Sequence, residues 1–240
     1  IPFLYRRALR EADFLVANSA EALRRLASDY RIERPQTSRV IYNGCIRDFD
    51  TLIPSFAPAG PRIQLCSISM FRPQKKQIRL LRLCSHLPDS VPWRLVLAGD
   101  GSTLPSCREE ANRLGIADRV EFPGLLKDPR SLYFASDIAV HVSDRESLPN
   151  FLVEAQMSGL PVVAYDVNGV GETFADGRSG ILVPHRDEAA FLAALVELAS
   201  DESKRLRMGE AARAFARQRF SLKSQSEAYH TLARELTRGN

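Results

Sequence analysis

The chain has 240 residues, of which 45% are apolar and 26% are charged, and its formal net charge is +4. A chain of this size and composition buries a full core and resembles an ordinary soluble protein of one or two domains. The small, scattered positive charge predicts no nucleic-acid partner, and it is compatible with an anionic small ligand or a weak peripheral contact with the inner face of a membrane.

Residues 1–35 are predicted to form a helix, a short strand over 14–17 and a second helix over 20–30. Asn18, with Glu21 three residues later, resembles a capping box at the start of the second helix. This segment is too short to make a domain. The chain also begins without Met, which indicates a part of a longer polypeptide.

A polar linker, a short strand over 39–42 and a turn at 43–44 are predicted to follow. The proline-rich stretch 48–61 is predicted to be a loop. Its Asp48 and Asp50 have the spacing of a DxD metal motif. Because they lie outside the regular pattern of strands and helices, a linker is favoured over a metal site.

From residue 62 onward, apolar strands alternate with helices, which is typical of a parallel sheet covered on both faces. The pattern predicts a Rossmann-like, doubly wound α/β fold with six parallel strands in the order 3-2-1-4-5-6. Strands are predicted at 62–70, 93–98, 119–122, 138–142, 161–165 and 180–183. Helices are predicted at 75–87, 105–114, 129–135, 150–157, 169–175 and 187–200, with two more at 202–218 and 222–237.

Two loops meet at the switch point of this strand order, where doubly wound sheets bind ligands. The loop after the first strand carries the cations Arg72, Lys75 and Lys76, and the loop after the fourth carries Glu146. The sequence therefore predicts a cationic crevice that also holds a carboxylate. For His141, on the fourth strand, a packed histidine is the favoured interpretation and a phosphate contact is the alternative.

The stretch 143–161 adds a second carboxylate, Glu154, eight residues after Glu146. Pro149 suits the first position of a helix over 150–157, and the free N–H groups of a helix start favour an anion. Two carboxylates that accept from hydroxyl groups, beside an anion site, predict a ligand that is part phosphate and part polyol. A nucleotide sugar is such a ligand.

Two other patterns do not predict chemistry. Gly99 and Gly101 are not continued as a dinucleotide fingerprint, because Leu104 stands at the third glycine position and the motif follows the second strand. The four cysteines form no CxxC pair, which predicts free thiols in a reducing cytosol rather than zinc or disulfide chemistry.

Several motifs resemble, in order, those of retaining glycosyltransferases of the GT-B architecture and family-four type. The resemblance runs from residue 14 to residue 220 and is carried by VANSAEALRRL, VIYNG, FRPQKKQ, LAGDGS, VEFPGLL and ESLPNFLVEAQMSGLPVVAYDVNGVGE. The last motif is the most specific, since an E-x7-E pattern continues into G-x-PVVA. The resemblance implies the end of a first domain with a linker at 1–36, a nucleotide-sugar domain at 37–220, and a helix at 221–240 that packs back on the missing first domain.

The resemblance also implies roles for individual residues. Glu154 would hold the ribose hydroxyls of the donor, Glu146 would face the donor sugar, and Lys75 matches the phosphate-binding lysine. Met70 stands in place of the usual arginine, and Arg72 is expected to replace it. The implied catalytic residues are Arg72, Lys75 and Glu146, and the implied donor-binding residues are Gly44, Lys76, Leu125, Leu126, Ser147, Leu148, Pro149, Asn150 and Glu154.

Two further departures concern glycines of the family pattern, which Lys76 and Ser147 replace. Leu125 and Leu126 would lie near the nucleobase. The expected function is transfer, with retention, of a sugar from a UDP-, GDP- or ADP-linked donor to an unknown acceptor glycan or lipid-linked sugar.

No metal cofactor is expected, because cationic side chains would bind the diphosphate. The chain is expected to be cytoplasmic, and to be inactive as this fragment alone, because the acceptor domain is missing. Two alternatives are a non-catalytic nucleotide-binding module and a GT-B nucleotide-sugar epimerase, which would release free sugar without an acceptor.

Overall fold

A computed structural model of the chain describes residues 3–32, 37–49 and 62–238. Two compact units are present, one made of residues 1–46 and 218–240 and the other of residues 47–217. The predicted domain boundaries at 36/37 and 220/221 rest on the resemblance and stay a prediction.

The described strands are β1 Leu15–Ala17, β2 Ser38–Val40, β3 Ile63–Ile68, β4 Trp93–Ala98, β5 Val120–Gly124, β6 Ile138–His141, β7 Val162–Tyr165 and β8 Gly180–Val183. The described α-helices are α1 Phe3–Glu11, α2 Ala20–Tyr30, α3 Gln77–Ser85, α4 Leu104–Arg113, α5 Arg130–Phe134, α6 Asn150–Met157, α7 Glu188–Ser200, α8 Glu202–Phe220 and α9 Leu222–Arg238. None of these helices is long and apolar enough to cross a bilayer.

In the smaller unit, β1 and β2 pair in parallel and α2 follows β1. The predicted cap of α2 at Asn18 is wrong, because the cap is Ser19, whose Oγ accepts from the N–H of Ala22 at 3.1 Å. Only the residue directly before the first helical turn brings its side chain to that N–H group. Glu21 instead pairs with Arg24 at 3.1 Å.

The larger unit holds a six-stranded sheet in the order β5-β4-β3-β6-β7-β8, with every neighbouring pair parallel. When these six strands are numbered from 1 by their order in the chain, the sheet order is 3-2-1-4-5-6, and the prediction is confirmed. Every residue of β6 and β7 is buried. Helices that cover a parallel sheet on both faces explain why these inner strands are buried on both sides.

The predicted helix over 75–87 begins later, at Gln77. Pro73–Lys75 forms a 3-10 turn, and Lys76 adopts a left-handed conformation with φ 55° and ψ 34°. A left-handed residue with a Cβ atom cannot lie inside a right-handed helix. The helix therefore starts only after Lys76.

Two other predicted helix positions need correction. The helix predicted at 169–175 is a 3-10 helix at Asn168–Glu172, since its two glycines make a poor α-helix. Pro149 is the N-cap of α6 rather than its first residue, with an extended ψ of 103°. The predicted bounds of this helix, residues 150–157, are confirmed.

Cys66, Cys84 and Cys107 are buried free thiols, as predicted for them. Burial raises the pKa of Cys66 and Cys84 to about 12 and that of Cys107 to about 11. A thiol is a poor nucleophile until it ionises, so these three cysteines are packing residues.

Candidate functional site

The loops that follow β3 and β6 lie together, because these strands are neighbours in the sheet. The N–H of Asp144 donates to the carbonyl oxygen of Gln74 at 2.9 Å, which joins the two loops. The second loop leads into α6, whose N-cap Pro149 offers no side-chain cap to the first N–H groups. Two loops and an uncapped helix start therefore share the carboxyl edge of the sheet.

These loops place two of the predicted site residues in contact. Nζ of Lys75 donates to Oε1 of Glu146 at 2.6 Å, and only 21% and 9% of the two side chains are exposed. Nε2 of the buried His141 lies 2.9 Å from the same oxygen, at an angle that completes no hydrogen bond with a described residue. His141 packs near the ring of Phe151, as favoured, but its approach to Glu146 was not predicted.

Burial alone would raise the pKa of Glu146. The contacts with His141 and Lys75 outweigh burial and lower this pKa to about 2. Glu146 is therefore a carboxylate at neutral pH, and it offers acceptors to hydroxyl groups at the carboxyl edge of the sheet.

Acid should weaken the fold through Glu146. A carboxyl whose pKa is lowered from 4.5 to about 2 stabilises the folded state above pH 4.5, and this stability disappears as pH falls toward 2. The contribution at neutral pH is on the order of 3 kcal/mol. We expect the difference in unfolding free energy between the native chain and Glu146→Gln, measured by urea titration, to shrink between pH 5 and pH 3. The exposed Glu109→Gln serves as the control, and an unchanged difference at pH 3 would contradict the expectation.

The second carboxylate, Glu154, has its own partners. Its Oε1 lies 3.3 Å from Nε of Arg47, and its Oε2 accepts from the hydroxyl of Tyr133 at 2.9 Å. Burial and the charge of Glu154 raise the pKa of Tyr133 well above its ordinary value, so this hydroxyl stays a donor. The ring of Tyr133 stacks on Phe151, which holds the hydroxyl in place.

A third carboxylate, Asp144, was missed. It accepts from Arg79 at 2.8 Å, and it lies 3.1 Å from Nε2 of His185 and 3.3 Å from Nζ of Lys76. Burial raises its pKa, but these contacts outweigh burial and lower the pKa to about 2. The sequence feature that could have indicated Asp144 is its position two residues before Glu146 in the same loop.

The loop after β4 supports the loop that carries the cations. The N–H of Phe71 donates to the carbonyl oxygen of Asp100 at 2.8 Å. A Cβ atom on Gly101 would lie 2.4 Å from the carbonyl oxygen of Phe71, and one on Gly99 would lie 2.0 Å from that of Ser69. Close packing of two backbones thus explains these glycines.

The remaining predicted residues around the two loops vary in exposure. Ser147 and Asn150 are exposed, whereas Leu148 and Pro149 are buried. The side chain of Arg72 lines a cavity beside the first loop. Its convergence with the other site residues stays a prediction.

Two predicted donor contacts lie elsewhere in the chain. Leu125, which is 68% exposed, and the half-buried Leu126 follow Gly124 at the end of β5. In the smaller unit, a Cβ atom on Gly44 would lie 2.8 Å from Cα of Leu222, so close packing accounts for this glycine. Their donor-binding roles stay predictions.

No group of three or more His, Cys, Asp or Glu side chains is placed to hold a metal ion within residues 3–32, 37–49 and 62–238. Asp48 is described, and Asp50 lies outside the described residues. The expectation that no metal is needed stays a prediction.

Comparison with known proteins identifies the family. Residues 48–215 match the model for glycosyl transferases group 1. The chain is 34% identical over 222 residues to the D-inositol 3-phosphate glycosyltransferase of Streptomyces avermitilis, which covers 84% of this chain and 47% of that protein. It is 30% identical over 163 residues to the lipopolysaccharide core biosynthesis glycosyltransferase LpsE of Rhizobium meliloti, with 68% and 47% covered.

The chain thus spans about half the length of these two relatives. Among solved structures, Anabaena HepE in complex with UDP has a TM-score of 0.83 and 25% identity, over 94% of this chain and 65% of that chain. The family match, the identities and the shared fold together show that the chain belongs to the glycosyl transferases group 1, a family of GT-B type.

Proposed function

We propose that this chain carries the nucleotide-sugar site of a retaining glycosyltransferase. The observation that carries the proposal is the contact of Lys75 with the carboxylate of Glu146, beside the uncapped start of α6. A cation and free N–H groups favour a diphosphate, and a carboxylate favours hydroxyl groups. HepE, solved with UDP and also with UDP-glucose, supports this ligand class.

In this proposal, the donor diphosphate lies in the crevice next to the ammonium group of Lys75. The ammonium group has three donors, so it binds a phosphate oxygen without leaving Glu146. Negative charge builds on the diphosphate as the sugar departs, and fixed donors that point at this charge lower the barrier. The N–H groups of Ser147, Leu148 and Asn150 share this role. Arg72 and Lys76, for which the resemblance implies the same role, line a cavity that includes neither Glu146 nor Glu154.

Retention follows from a reaction on one face of the sugar. The bond from the anomeric carbon to the phosphate oxygen breaks, and a bond from that carbon to the acceptor oxygen forms on the same face. The released phosphate oxygen takes the proton of the acceptor hydroxyl, so the step needs no protein nucleophile. Glu146 accepts hydrogen bonds from the sugar hydroxyls and holds the ring.

Glu154 is proposed to bind the ribose. Its carboxylate accepts one hydrogen bond from Tyr133 and faces Arg47. Because a carboxylate has about four acceptor positions, two ribose hydroxyls can still be bound.

Calorimetric titration of the chain with UDP, GDP and ADP tests the proposal, with UDP first because of HepE. We expect binding of one of the three, with the same affinity in the presence of EDTA, because the cations of the site are side chains. Lack of binding to all three would refute the proposed function. Loss of binding in EDTA would instead favour a metal near Asp48.

Glu146→Ala should separate the sugar from the nucleotide. The variant removes the acceptor for the sugar hydroxyls and leaves the diphosphate groups in place. We expect unchanged UDP affinity and about tenfold weaker UDP-glucose binding, the loss of about one charged hydrogen bond. Equal losses of affinity for both ligands would show that Glu146 does not bind the sugar.

We expect the 240-residue chain to bind donor without transferring sugar. Positioning an acceptor next to the donor contributes several kcal/mol to a bimolecular reaction, and this chain spans about half of its relatives. The assay offers donor with a broad acceptor panel and records both transfer and free sugar. Robust transfer would contradict the expectation, and free sugar without acceptor would favour the epimerase.

The predicted cytoplasmic location and peripheral membrane contact remain proposals.

A further inference from the structure

A cavity of about 420 Å³ lies where the first turns of α3 and α4 meet the start of α7. This volume is in the range of small-molecule sites. The side chains that line it include Arg72, Lys76, Arg79, Arg82 and Thr103, but neither Glu146 nor Glu154. We propose that this cavity, called here the α3–α4 cavity, binds the phosphate group of a small phosphorylated molecule at a site separate from the donor site.

The charge of the cavity favours an anion. Its lining carries four cationic side chains against the single carboxylate of Glu188. Asp144 faces Arg79 and Lys76, and Glu110 faces both Arg82 and Arg113. Because Arg113 does not line the cavity, four cations face three carboxylates, and the excess of one positive charge favours an anion.

The backbone of Lys76 is a second indication. Its left-handed conformation is strained for a residue with a Cβ atom, and the resemblance expects a glycine here. Strain of this kind concentrates at functional positions. The side chains of the two neighbouring lysines also have different partners. Nζ of Lys75 donates to Glu146, whereas Nζ of Lys76 lies 3.3 Å from Asp144, and Lys76 lines the cavity.

Hydrogen-bond donors inside the cavity are a third indication. Oγ1 of Thr103 is buried and has no hydrogen-bond partner among the described residues. Thr103 is the N-cap of α4 but does not cap it with its side chain, and α3 also lacks a side-chain cap. The N–H groups at the start of α3 and the hydroxyl group of Thr103 thus accompany the guanidinium groups, which is a donor set that suits phosphate.

The test compares two arginines that share one carboxylate. Arg82 and Arg113 both pair with Glu110, but only Arg82 lines the cavity. Inorganic phosphate, glucose 6-phosphate and glucose are titrated calorimetrically into the chain, with and without saturating UDP. We expect both phosphates to bind in the presence of UDP and glucose not to bind. Arg82→Gln should weaken phosphate binding about tenfold and Arg113→Gln less than about twofold, because only the former removes a charged donor from the site.

Absence of phosphate binding at millimolar concentration would overturn the proposal. Competition by UDP would also overturn it, because the phosphate would then lie in the donor site, and so would equal effects of the two arginine variants. Tighter binding of glucose 6-phosphate than of inorganic phosphate would identify a sugar phosphate as the ligand, and equal affinity would identify phosphate itself. If none of UDP, GDP and ADP binds, the proposed function fails, and the titrations without nucleotide still test this site.

Discussion

Glu154→Ala is expected to weaken binding of the donor nucleotide by ten- to a hundredfold. The carboxylate is held by Tyr133 and Arg47 and is 20% exposed, so it is positioned before the ligand arrives. Charged hydrogen bonds to two ribose hydroxyls contribute about 1.5–3 kcal/mol, which corresponds to this loss of affinity. Calorimetry with UDP and UDP-glucose should show equal losses, because both carry the same ribose.

Two variants control this result. Tyr133→Phe keeps the carboxylate and removes only the donor that orients it, so we expect a loss of a few-fold. Glu197→Ala removes an exposed carboxylate of α7 and should leave affinity unchanged. Unchanged affinity in Glu154→Ala itself would refute the ribose role.

Gly99→Ala is expected to destabilise the fold by about 3–5 kcal/mol, because two costs add. The φ of Gly99 is +134°, a conformation that residues with a side chain rarely adopt, and the new Cβ atom would lie 2.0 Å from the carbonyl oxygen of Ser69. Backbone cannot retreat as a flexible side chain can, so the loop after β3 must move. Urea titration measures the loss of unfolding free energy.

Gly115→Ala is the matched control for this variant. Its φ of +68° is also positive, but among the described residues no atom beyond its two chain neighbours lies within 4 Å of the added Cβ. It should therefore cost only the left-handed strain of about 1–2 kcal/mol. Similar losses in the two variants would show that the contact with Ser69 is not the cause. A shifted loop would also carry Lys75 away from the donor, so UDP affinity should fall in Gly99→Ala and not in Gly115→Ala.

The sequence by itself determined the sheet. Burial is periodic along a strand or a helix, so the apolar run at 138–142 predicted the strand β6. The alternation of strands with helices predicted a parallel sheet and the order of its six strands. Neighbouring strands then bring their loops together, so the meeting of the Lys75 loop with the Glu146 loop could also be predicted. The E-x7-E stretch predicted the bounds of α6 for the same local reason.

Only the tertiary structure decided which side chains touch. A strand histidine in sequence is compatible with plain packing, and the path of the loop after β6 is what brings His141 to 2.9 Å from Glu146. The Asp144 cluster joins three separate stretches of chain. Burial patterns repeat within one helix or strand, whereas these contacts depend on the course of several loops. Lys76 is an example: because its backbone is left-handed, the adjacent Lys75 and Lys76 have different partners, Glu146 and Asp144.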